Sequence, residues 1–203
     1  MNARLLDVAI ELLHDKGWPA LSLEAIAERA GVSRATVWRQ GLTRGAVERI
    51  LRHRLVADYR ELMWEPLTKA GSGRERFAEA LRALCEVAER NIPLLAHTET
   101  AFHGPDLDAV GVTLDFYGPW LRILDLAVAD GSLEPAEDPA AFIAALTNMV
   151  LLTYVHLRAY HAEWGWTPQR TADCVVDLVS RGYLPRPAQA VPHRPRARST
   201  PRK

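Results

Sequence analysis

Leu23-Glu-Ala-Ile-Ala-Glu-Arg-Ala-Gly-Val-Ser-Arg-Ala-Thr-Val-Trp-Arg-Gln40 is the stretch on which the reading of this chain turns. Ser22 stands where an N-cap is wanted, and Ile26, Ala27 and Ala30 recur at helical spacing, predicting a helix over 23–29. The face they form is made of small side chains, which lets a second helix cross closely and steeply. Gly31 falls at the turn, where a residue with positive φ is needed. Ser33 caps a third helix over 34–40, which Val32 and Val37 anchor. A supporting helix, a tight turn and a short second helix make the helix-turn-helix pattern, whose second helix enters the major groove of DNA.

An ordinary helical hairpin has the same turn, so the flanks decide between the two. Leu5, Leu6, Ala9, Ile10, Leu12 and Leu13 form the stripe of a first helix over 3–16, closed by Gly17 and Pro19, which completes a three-helix core. Arg34, Thr36, Trp38, Arg39, Gln40 and Arg44 all carry donors for phosphates or bases. Ser33, Arg34 and Ala35 lie at the end of the third helix that points into the groove in such docking. Thr43 caps a fourth helix expected to end at Trp64, before Pro66, with its positive N-terminal end beside the reader.

The stretch Leu5 to Leu51 resembles the DNA-binding domain of TetR-family (TetR/AcrR-like) regulators. Gly17, Ile26-Ala27, Ala30-Gly31-Val32-Ser33, Thr36-Val37-Trp38 and Arg44 stand at the family's motif positions. Three of its residues depart from the motif. Trp38 replaces a Tyr, but its indole N–H still donates and phosphates only accept. Arg44 replaces a Lys, keeping the charge and adding a fork. Gly41 stands where the family has an aromatic packing the third helix on the fourth, and Leu42 is the residue available to fill that space.

Charge is distributed in keeping with this reading. The net charge is zero, but residues 1–60 carry ten basic and seven acidic groups, 61–180 carry eight and eighteen, and 181–203 carry seven and none. Between 29 and 54, seven arginines face a single acid, Glu48, so one end of an otherwise acidic molecule is aimed at a polyanion. Cys85 and Cys174 form neither a disulfide framework nor a zinc motif, and the N-terminus lacks the apolar run of a signal peptide, so a cytoplasmic protein is expected.

Beyond residue 60 the periodicity stays helical. Lys69 to Gly73 reads as a flexible linker, followed by a helix over 74–90, a short one bracketed by Pro93 and Gly104-Pro105, and a run over 106–130 kinked at Gly118-Pro119. Helices over 139–163 and 168–181 come last, the second with Thr167 as N-cap and Pro168 at its first position. Residues 140–157 hold no charge. Their length is borderline for a membrane span, but Thr147, Asn148, Thr153 and His156 argue against one. A helix apolar on every side is otherwise covered on every side, by its own subunit and by a second copy. The resemblance also implies dimerisation through the last two helices. Val150, Leu146 and Leu157 are candidates for the covered face, with Cys174, Val175, Leu178 and Val179 as a second stripe.

The expected protein is therefore all-α with about nine helices. A helix-turn-helix domain over 1–48 precedes a regulatory and dimerisation domain over 49–182 and a disordered basic tail over 183–203. The resemblance implies a ligand pocket among the middle helices, with Phe116, Trp120, Asn148, Thr153 and His156 as candidate lining. No Ser-His-Asp order, Gly-rich phosphate loop or zinc signature is found, so neither an enzyme nor a cofactor is expected. His97, Glu99 and His103 are the nearest approach to a metal set, and no metal is expected there. The function expected is a dimeric repressor of a palindromic operator, released by a small molecule. A DNA-binding regulator without an effector is the alternative, and a helical enzyme with a basic face the remote one.

Overall fold

The computed structural model describes residues 2–96 and 115–181, and it is all-helical. The helices among these residues are α1 (Ala3–Lys16), α2 (Leu23–Ala30), α3 (Arg34–Arg39), α4 (Arg44–Thr68), α5 (Gly73–Arg90), α6 (Ile92–Leu95), α7 (Gly118–Ala129), α8 (Pro139–Tyr160) and α9 (Pro168–Arg181). Single 3₁₀ turns sit at Trp18–Ala20 and Ala162–Trp164. The expected basic tail and the His97–His103 set lie outside the described residues, as does the first half of the run expected over 106–130.

Capping fixes most of these boundaries. Asn2, Ser22, Ser33, Thr43, Ser72 and Asp138 each accept a backbone N–H at the start of a helix. Thr167 accepts the N–H of Arg170 ahead of α9. At the end of α2, Gly31 is left-handed at φ +66°, the Gly31 N–H reaches the Glu28 carbonyl and the Val32 N–H reaches the Ala27 carbonyl. This Schellman closure makes the turn into α3 tight.

Three expectations are corrected. Helix α4 does not stop before Pro66 but runs through it to Thr68. Proline removes one N–H from the ladder. The turn beyond it is secured by Arg76, whose guanidinium donates to the carbonyls of Pro66 and Leu67. Gly118-Pro119 does not kink a helix but begins one, α7, with the Gly118 N–H donating to Asp115 at 2.8 Å. Proline is at home in a first turn, where its missing N–H has no partner to lose. Residues 69–73 form a tight turn rather than a linker. Ser72 and Glu75 make a reciprocal capping box, and Lys69 pairs with Glu79 at 2.7 Å. Gly73 meets α7 so closely that a Cβ there would stand 2.1 Å from the Ala127 Cα.

Helix α5 is the centre of the body, in contact with α4, α7, α8 and α9. Its buried residues include Phe77, Leu81, Leu84 and Cys85, and burial pushes the Cys85 thiol up to about 12. One continuous apolar cluster runs from Leu5 in α1 to Val176 in α9. Helix α4 carries that continuity unbroken past residue 48: Val47 and Leu51 are buried near the reader, and Leu55, Val56, Tyr59 and Met63 further along. By length and composition α8 is apolar enough to cross a membrane. It is instead two-faced: Ile143, Leu146, Thr147, Val150, Leu151, Tyr154 and Val155 are buried, while Phe142, Met149 and Leu152 are exposed. The buried face packs on α5, α6 and α9, as a core helix does.

Candidate DNA interface

The geometry of the reader follows from one buried side chain. Val37 is wholly enclosed, which turns the rest of α3 outward. Arg34, Ala35, Trp38, Arg39 and Gln40 are exposed and Thr36 is half-buried. Trp38 is 65% exposed, a large apolar ring held in solvent with its indole N–H free to approach a partner. Ser33 faces solvent but is occupied locally, accepting the Thr36 N–H at 3.2 Å and lying 2.9 Å from the Thr36 hydroxyl.

Arg44, at the start of α4, lies over the Trp18 ring at 5.4 Å, so its guanidinium is aimed by an aromatic platform rather than by an acid. Gly41 adopts φ +68°, and Leu42 behind it is fully buried. Leu42 thereby occupies the space between α3 and α4.

The structure also revises the charge count. Glu24 holds Arg34 at 2.9 Å, and Asp15 and Glu11 hold Arg29 at 2.7 and 3.5 Å. Glu48 holds Arg52, which is buried. Three of the seven arginines between 29 and 54 are thus matched by acids, most of them from outside that window. The Arg34–Glu24 pair is exposed at both ends, and such pairs contribute about 0–1 kcal/mol. Opening this pair to free Arg34 therefore costs little. Sequence reasoning missed Glu24, and it missed Trp18 as the support of Arg44. Neither is recoverable from local pattern, because each pairing spans ten or more residues.

Residues 5–40 match the model for bacterial regulatory proteins of the tetR family. Over that segment, which spans α1 to α3, the chain is similar to the DNA-binding part of the tetR family. Solved structures extend the likeness to the whole fold. The MbdR regulator of Azoarcus sp. CIB superposes with a TM-score of 0.69 at 15% identity, covering 89% of this chain and 97% of that one. A TetR/AcrR-family regulator of Thermobifida fusca YX-ER1 gives 0.63 at 22% identity, covering 90% and 97%. FadR of Bacillus subtilis, solved with stearoyl-CoA, gives 0.60 at 14% identity, covering 89% and 98%. No curated protein is significantly similar in sequence.

The five residues expected to line a TetR-type pocket stand in different surroundings. Phe116 is half-buried and packs on Tyr59, with centroids 4.9 Å apart. Trp120 is completely enclosed, edge-on to Phe77, with its indole N–H interacting with the Tyr59 side chain. Asn148 donates to its own helix at the Ala144 carbonyl, Thr153 is half-buried and His156 is exposed. A groove of about 630 Å³ between α5 and α9 is lined by none of the five; Arg74, Arg82, Asp173 and Cys174 are among its walls.

Proposed function

We propose that this chain is a TetR-family transcriptional regulator, a cytoplasmic, dimeric repressor that binds a palindromic operator and is released by a small molecule. The observation that carries the dimer is the unpartnered face of α8. Phe142, Ala145, Met149, Leu152, His156 and Tyr160 are all exposed, and they follow one another at intervals of three or four residues. A continuous apolar stripe of this kind, with Leu178 of α9 also exposed, marks an interaction surface. A second copy related by a two-fold axis supplies an identical stripe. The same axis would set two α3 helices about 34 Å apart, one turn of DNA.

Signal transfer is supported by α4. The Tyr59 hydroxyl, midway along α4, donates to the Phe116 carbonyl at 2.6 Å just before α7. Burial keeps this phenol well above the usual tyrosine range, so it remains a neutral donor. A ligand that drew the Trp120 indole away from Tyr59 and displaced Phe116 would pull on α4, whose first turn positions the reader. It would favour the arrangement in which the readers are wrongly spaced. FadR, which shares the fold, is solved with stearoyl-CoA, so a long-chain acyl-CoA is the first effector class to test.

Selection of bound DNA from a random pool tests the reading. Recovered sites should be inverted repeats with half-site centres one DNA turn apart, and recovery of unrepeated sites would overturn the dimer. Within such a site, Arg34→Ala should cost ~1–3 kcal/mol and relax discrimination at one position per half-site. Equal losses on unrelated sequences would make Arg34 a phosphate contact instead. Arg44→Ala should weaken all sequences alike and lower the salt slope by about one unit per reader. An unchanged slope would remove Arg44 from the interface.

A further inference from the structure

His156, a member of the exposed α8 stripe, and His161 are brought together at the C-terminal end of α8 by a contact that the dimer stripe does not itself require. Their Nε2 atoms stand 3.2 Å apart. Five residues along a continuous helix do not share a face, but α8 ends at Tyr160. His161 is the C-cap, at φ −131° and ψ 26°, and this departure swings its ring back toward His156.

The turn that follows holds the arrangement in place. Trp164 stacks on the His161 ring at 4.3 Å with 20° between planes. Arg170 donates to the carbonyls of Trp164 and Gly165, and Arg158 donates to that of Trp166. These two cations are themselves engaged, Arg158 by Glu89 and Arg170 over the Trp166 ring, so their charge is partly spent before it reaches the imidazoles. The Nδ1 of His161 is buried without a hydrogen-bond partner, and the Glu163 carboxylate is 3.8 Å away.

From this geometry we infer that His156 and His161 form a two-imidazole chelate for a divalent first-row transition ion, zinc being the reference case. Two nitrogens each about 2.0–2.1 Å from a tetrahedral zinc ion lie roughly 3.3–3.4 Å apart, which is within about 0.2 Å of the spacing already present. Binding requires both rings to carry their proton on Nδ1 and present the Nε2 lone pair. Whichever ring donates the Nε2–H in the present contact must tautomerise, its Nε2 releasing that proton to solvent and its Nδ1 taking one up. For His161 the buried Nδ1–H then points toward Glu163, the carboxylate that would orient the ring from behind. The described residues hold no cluster of three or more His, Cys, Asp or Glu able to hold a metal, so the protein supplies two ligands and water the others. Such an open site is exchangeable, unlike a closed structural zinc site.

Zinc titration of the full chain by calorimetry, with imidazole ring signals followed by NMR, tests the chelate. One ion per chain is expected, with the His156 and His161 rings shifting first. His156→Ala and His161→Ala should each abolish that event while leaving the helical circular dichroism unchanged. Glu163→Gln should weaken it by about 10-fold, the lower end for an orienting carboxylate. If wild type takes up no zinc, the contact is a hydrogen bond only and the inference fails. It fails equally if zinc binds but both alanine variants retain it, since the ion then sits on other residues. None of these readouts involves DNA or an effector, and sedimentation of both alanine variants separates loss of zinc from any loss of the dimer whose stripe His156 shares.

Discussion

Leu152→Glu should turn the protein into a folded monomer that no longer holds its operator. Leu152 is 69% exposed and Met149 is 52% exposed on the same face of α8, so neither contributes much to the subunit's own core. In a two-fold interface a single substitution enters twice, placing two carboxylates in an apolar seam. Burying an unpaired charge costs several kcal/mol. A loss of about 4 kcal/mol is roughly a 1,000-fold weaker dimer, enough to give monomers at micromolar concentration. A monomer engages one half-site, so operator affinity collapses while weak binding to isolated half-sites persists. Sedimentation reads the first effect, and the thermal midpoint should stay near wild type. A Leu152→Glu protein that remains dimeric would put the interface elsewhere. Val150 and Leu146, candidates from sequence for the same face, give a different outcome. Val150 is fully buried and Leu146 nearly so within the single subunit, so a glutamate there unfolds the domain instead of splitting a dimer. Leu157 is half-buried and reads out a mixture.

That reversal shows where sequence stopped being legible. In the reader, the signals are local: a cap at Ser22, a left-handed Gly31 and a cap at Ser33 are each determined within four residues, and all three stand where the pattern placed them. In α8 the apolar content runs round the whole helix, so periodicity has no phase to reveal which side meets α5. Pro66 and Gly118-Pro119 are ambiguous in sequence for a related reason. A proline marks a helix boundary, but whether it lies inside or outside depends on what satisfies the neighbouring carbonyls. The answer lay with Arg76, ten residues beyond Pro66. The charge of the reader was overcounted because Glu24, Asp15 and Glu11 fold back onto arginines that a sequence window leaves unpaired. The approach of His156 to His161 had no pattern to find. It exists because a helix ends between them, and no helical ligand spacing describes it.

Leu42→Ala should separate the two halves of the molecule in the opposite sense, loosening the reader while leaving the body and any dimer intact. The aromatic that the resemblance leads one to expect between α3 and α4 is replaced here by Gly41, and Gly41 is left-handed, a conformation that places its own position out of the core. Leu42 is fully buried instead, in the same cluster as Val37 of α3 and Val47 of α4. It is therefore the side chain that transmits the position of α4 to the recognition helix, which has only six residues and too few internal bonds to hold itself. Replacing a buried Leu by Ala costs about 2–5 kcal/mol, more where the site cannot collapse. If about 3 kcal/mol of that falls on the DNA-competent arrangement, operator affinity drops roughly 100-fold. Amide exchange should accelerate in α3 and the first turns of α4 and stay unchanged in α5 and α8. The sedimentation coefficient should match wild type, the reverse of the Leu152→Glu result. Operator binding and α3 exchange both at wild-type levels would mean that Val37 alone anchors the reader and that Leu42 only fills space.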